Sequence, residues 1–140
     1  MRREQHARKL FETAELRNFE KAVEKREFPN GRLELVKIGG STVGRATLLP
    51  GWRWSTSVKA IAGTESCEAA HLQYQVSGVL RVRMDDGSEL DCRPGDVTFL
   101  PPGHDAWVIG EEPAVVVDFQ GMGKYAKSGD LTLLQAITAA

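Results

Sequence analysis

The pattern of apolar and polar positions changes character at Gly31. Before it, residues 4–26 are rich in Glu, Lys, Arg and Ala, and Leu10, Phe11, Ala14, Phe19, Ala22 and Val23 approximate a stripe at helical spacing, uninterrupted by Pro or Gly. The sequence predicts one amphipathic helix there, packed on the domain or on a partner and ended by the turn Phe28-Pro29-Asn30-Gly31. After Gly31, short apolar runs take over, at residues 33–38, 43–49, 55–61, 68–76, 79–84, 89–92, 97–100, 106–109 and 114–119. The run at 55–61 alternates least cleanly but is rich in Thr, Val and Ser. Turn signals separate the runs, among them Ser77-Gly78, Asp85-Asp86-Gly87, Arg93-Pro94-Gly95 and Pro101-Pro102-Gly103. Short strands at this spacing predict an all-β sandwich or barrel, with a hairpin at Asp86-Gly87. Residues 132–139 suggest a short C-terminal helix capped by Ser128 or Asp130. The organisation expected is one domain: a helical extension at 1–28, a barrel at 32–120 and a tail at 121–140.

Composition narrows the partners. A chain of 140 residues buries a core without covalent staples, and its formal net charge of −1 favours neither nucleic acid nor an anionic membrane. The cations of the N-terminal segment are balanced by Glu4, Glu12, Glu15, Glu20, Glu24 and Glu27. Apolar runs such as 114–117 are too short to cross a bilayer, and no apolar stretch follows MRREQHARKL, so a cytoplasmic protein is expected. In that compartment Cys67 and Cys92 are expected as buried thiols rather than a disulfide. The chain has no phosphate loop, Gly-x-Ser-x-Gly elbow or Cys-x-x-Cys.

Residues 65–107 resemble the two-motif signature of the cupin superfamily. The second motif has Gly95, then Asp96-Val97-Thr98-Phe99-Leu100, then Pro101-Pro102-Gly103. Gly78 fits the closing Gly of the first motif. Counting back from it, His71 stands where the family has Glu, while Cys67 and Glu65 stand where it has two His. Ala106 occupies the second motif's His position, with His104 two residues earlier, and Gly110 stands at the family's Asn. The resemblance implies a jelly-roll β-barrel with a metal-holding pocket, and a homodimer formed through sheet edges. The altered residues separate this chain from the usual set of three His and one Glu.

Side chains two apart in a strand share a face, so one regular strand would present Glu65, Cys67 and His71 together. A bulge would break that parity, Glu65 being the most exposed to it. In the cupin frame the Pro-Pro-Gly turn brings His104 to the same strand. A thiolate and two imidazoles, with Glu65 as a fourth ligand, suit a divalent transition metal, zinc best, with iron, nickel or copper as alternatives. The plain readings are a buried small residue for Cys67, a core imidazole for His71, a solvated loop residue for Glu65, and a turn pair for His104 with Asp105. Gln73 and Gln75 share the face of His71, where an amide would orient a polar ligand, and Trp107 follows the His104 turn. Arg81 and Arg83 either bind a carboxylate at the barrel mouth or are solvated and salt-bridged. Trp52 and Trp54 flank Arg53 and form a stacking wall or a packing surface. Three functions follow: a metal-containing binding or sensing module for a small polar or carboxylated ligand; a metal-dependent enzyme such as a dioxygenase, isomerase or hydrolase; or a structural dimer.

Overall fold

A computed structural model describes residues 13–122. The strands are β1 (Glu24–Phe28), β2 (Gly31–Ile38), β3 (Ser41–Leu48), β4 (His71–Ser77), β5 (Val79–Met84), β6 (Glu89–Cys92), β7 (Val97–Leu100), β8 (His104–Ile109) and β9 (Ala114–Asp118). One antiparallel sheet runs β1-β2-β3-β9-β4-β7 and the other β6-β5-β8. Their inward side chains form a single core that includes Leu33, Leu48, Leu80, Val82, Leu100 and Val116. This is the jelly-roll arrangement expected of the all-β pattern. Each fully buried Leu or Val of this kind stabilises the fold by about 1.5–3 kcal/mol.

Alternation is visible strand by strand. In β4, His71, Gln73 and Gln75 point in while Leu72, Tyr74 and Val76 point out. In β5, Leu80 and Val82 are buried, and in β9, Ala114, Val116 and Asp118. The chain crosses between sheets at Gly78, which joins β4 to β5 without a loop. Its φ is +66°, and a Cβ there would overlap the Pro113 carbonyl, so glycine is the residue that fits.

Two expected elements are corrected. Within the described residues the N-terminal segment is not an amphipathic helix: Phe19–Lys21 make one 3₁₀ turn and β1 follows. The helix-forming composition yields to tertiary contacts. Arg26 and Phe28 alternate inward on β1, Arg26 pairs with Glu24, and Arg45 of β3 binds Glu20 at 2.8 Å while covering the Phe19 ring at 5.1 Å. The run 55–61 is not a strand but two helical turns, α1 (Trp54–Ser57) and α2 (Lys59–Ala62). Trp54, Ser57 and Val58 are buried and Ile61 is partly buried, a spacing of helical period that the β-branched composition concealed. The parts of the predicted helices at 4–12 and 132–139 lie outside the described residues. No described helix is long and apolar enough to cross a membrane.

Candidate metal centre

Cys67 is held by an isolated antiparallel bridge to His104. Its N–H donates to the His104 carbonyl and its own carbonyl accepts from Gly103 N–H, both at 2.7 Å. The Pro101-Pro102-Gly103 turn thereby delivers His104, the first residue of β8, to Cys67. Four residues after Cys67, His71 opens β4. Residues 68–70 carry no strand, so Cys67 and His71 meet through a change of chain direction and not through shared strand parity. Loss of that parity releases Glu65. Its side chain is 94% exposed and bonded to Lys59 at 2.8 Å, away from the cluster.

The three remaining donors converge. One ligand atom from each of Cys67, His71 and His104 lies within 4.8 Å of the others, and all three residues are buried. That spread is close to what two metal bonds of about 2.0–2.3 Å each allow. Cys67 Sγ stands 3.6 Å from His71 Nε2, and the two imidazoles meet edge-on at 5.4 Å between centroids. Each imidazole is anchored through its other nitrogen. His104 Nδ1 bonds the Pro101 carbonyl at 3.0 Å, and His71 Nδ1 bonds Asp118 Oδ2. A carbonyl can only accept, so His104 Nδ1 carries the proton and Nε2 keeps its lone pair.

The electrostatics follow from this packing. Burial pushes the Cys67 thiol up, but hydrogen bonding with His104 and His71 outweighs it and lowers the thiol to about 7. Burial pushes His71 down, while its hydrogen bonds to Asp118 and Cys67 raise it to about 9. Cys92 behaves differently: burial raises it, it accepts a hydrogen bond from Thr98 at 3.5 Å, and it lies outside the cluster.

A cavity of about 40 Å³ opens beside the three donors, roughly the room of three waters. Its walls include Trp52, Trp54, Gln73, Leu80, Leu100 and Met122. Two buried donors among these residues, Trp52 Nε1 and Gln73 Nε2, have no hydrogen-bond partner. Of the ligand-binding residues expected from sequence, only Gln73 lines this cavity. Trp107 lies under Arg53, 4.2 Å from guanidinium to ring centroid. Arg81 sits on the outer face of the small sheet, bound bidentately to Asp91 at 2.7 and 3.0 Å, and Arg83 is exposed. These three fall on the other parity from Leu80, Val82, Ala106 and Val108, which fill the core. Sequence reading missed Asp118. The available signal was its place in the inward row Ala114, Val116, Asp118, where a carboxylate needs a partner.

No family model matches the chain, and no curated protein matches it. Solved structures do. A Rhizobium leguminosarum bv. viciae protein of unknown function has a TM-score of 0.58 at 20% identity, over 77% of this chain and 96% of that one. An RmlC-like cupin from Shewanella frigidimarina has a TM-score of 0.54 at 14% identity, over 80% and 96%. KdgF from Halomonas has a TM-score of 0.51 at 20% identity, over 78% and 94%. At such identities the likeness is one of fold.

Proposed function

We propose, for a chain that has the cupin fold, that Cys67, His71 and His104 hold a divalent transition metal and that the adjoining cavity binds a small polar ligand. One observation carries this reading: three buried donors converge, with the outer nitrogens of both imidazoles already occupied. Such outer contacts orient metal-ligating imidazoles in general. The donor set fits zinc best, and iron or nickel next. A bound ion of this kind supplies Lewis acidity and lowers the pKa of a coordinated water.

The protein's own groups favour binding or sensing over acid–base catalysis. Once the thiolate and imidazoles serve as donors, the other polar N–H-bearing side chains lining the cavity among the described residues are the indoles of Trp52 and Trp54 and the amide of Gln73. None of these transfers protons near neutral pH. The unpartnered N–H groups of Trp52 and Gln73 suit a ligand that presents acceptor oxygens, such as a short carboxylate or carbonyl compound. The apolar walls and small volume limit it to a few heavy atoms. A homodimer is part of the same reading, supported by an exposed apolar row on the outer face of β4 and β7.

A second reading rests on the chain Cys67–His71–Asp118, which has the order nucleophile, base, orienting carboxylate. In that case the protein is a thiol enzyme and the cluster works without metal.

Metal analysis of protein purified without an affinity tag separates the two. The metal reading expects near-stoichiometric zinc, iron or nickel that is lost in Cys67→Ala and His71→Ala with the fold retained. It also expects bound metal to shield Cys67 from iodoacetamide. Metal-free protein whose Cys67 alkylates rapidly, and which gains no thermal stability from added zinc, would favour the thiol enzyme.

A further inference from the structure

Asp118 is fully buried, at 0% exposure, in the inward row of β9. One carboxylate oxygen accepts the Gln120 N–H at 2.9 Å and the other meets His71 Nδ1. Among the described residues, no other carboxylate is hydrogen-bonded to a member of the Cys67, His71 and His104 cluster. Asp118 cannot itself be a ligand through the oxygen that holds His71, because that imidazole stands between it and the thiol.

We infer that Asp118 supplies the second negative charge that makes the centre electroneutral for a divalent cation, and so sets the charge of the ion it takes. This rests on the metal reading proposed above. With two neutral imidazoles, the charged groups of the centre among the described residues are the Cys67 thiolate and the Asp118 carboxylate. A divalent ion brings the sum to zero. A monovalent ion leaves one negative charge uncompensated, and a trivalent ion leaves one positive charge. Uncompensated charge in a buried site is strongly disfavoured. Arg26 reaches the back of the cavity wall through a hydrogen bond to the Met122 carbonyl at 3.1 Å, but it is itself paired with Glu24.

The charge count decides something that donor chemistry leaves open. A thiolate with two imidazoles is soft enough for monovalent copper or silver as well as for zinc. Softness alone therefore does not select the divalent ion, whereas the carboxylate behind His71 does. Asp118 also orients the His71 ring. That positioning would act on every cation alike, so the two roles are separable.

The test compares Zn²⁺ and Ag⁺ affinities by chelator competition. A Cys92→Ala background leaves Cys67 as the one thiol in the chain. Asp118→Asn should weaken Zn²⁺ by about 10–100-fold, the usual effect of removing an outer-sphere partner. Ag⁺ should weaken much less or tighten, so that the ratio of the two dissociation constants moves at least tenfold toward Ag⁺. Asp118→Glu keeps the charge and should keep the ratio near that of the parent, even where both affinities fall. Asp118→Ser carries the same neutral test if circular dichroism shows the Asn variant unfolded. Parallel losses for both ions, or an unmoved ratio, would overturn the charge role while leaving the metal reading intact. A folded parent that binds no Zn²⁺ would overturn both.

Discussion

Cys67 and His71 each titrate against what burial alone would give, and the consequence is a pH window. His71 is raised from 6.5 to about 9, so its contribution to stability is complete below 6.5 and is lost as pH rises through 9. Cys67 is lowered from 9.0 to about 7, so its contribution is complete above 9.0 and is lost as pH falls through 7. The two coexist best between about 7 and 9. The metal-free protein should therefore melt at its highest temperature in that window, by circular dichroism across a pH series. The Cys67→Ala protein should lose the decline on the acid side that belongs to this pair. A wild-type profile without a maximum there would count against the pairing. Gly121 matters at the same scale. Its φ is +89°, and a Cβ there would overlap the Ala70 carbonyl and stand 3.3 Å from His71 Nδ1. Gly121→Ala should weaken metal binding by displacing His71, and an unchanged zinc affinity in the folded variant would show that the ring has room to adjust.

The elements differ in how plainly the sequence announces them. Val79–Met84, Glu89–Cys92 and Val97–Leu100 have the boundaries expected from alternation and turn residues. There the local pattern and the final environment agree. β1 was hidden because Glu24, Lys25, Arg26 and Glu27 form helices readily in isolation. Only pairing with β2 and burial of Arg26 and Phe28 make them a strand. The helical turns at Trp54–Ser57 and Lys59–Ala62 were hidden by Ser, Thr and Val, although the buried positions have helical period. The crossing at Gly78 was legible as a turn signal, but not as the point where the chain changes sheet. Gly78→Ala forces a side chain into the left-handed region and against Pro113. It should cost about 1–3 kcal/mol or more in denaturant unfolding. A loss below about 0.5 kcal/mol, the range of ordinary surface changes, would mean that the sheets re-pack around the methyl group.

At the scale of the molecule, the outer face of the large sheet carries the clearest unpartnered feature among the described residues. Leu72 pairs across strands with Phe99, and Tyr74 with Val97, while Val76 continues the row. Val97 is 71% and Phe99 60% exposed, and β7 forms the edge of its sheet. Edges and apolar patches of this kind favour association. If the proposed dimer forms through this face, Phe99→Glu should convert it to monomer in sedimentation velocity with the melting temperature little changed. A wild-type protein that is monomeric at high concentration would contradict the proposed dimer. The centre itself is legible only in part. Residue types and spacing point to Cys67, His71 and His104, because soft donors are scarce in this chain. They cannot exclude Glu65, since its departure depends on where β4 starts. They also do not reveal Asp118, which lies 47 positions from His71 in sequence and reaches it only through the pairing of β4 with β9.

Anomalous diffraction tests the central claim most directly. Crystals of the untagged protein grown with Zn²⁺, measured above and below the zinc absorption edge, should show one strong anomalous peak bonded to Cys67 Sγ and to the Nε2 atoms of His71 and His104. A cluster without such a peak, in crystals whose cysteine is unmodified, would contradict the metal centre.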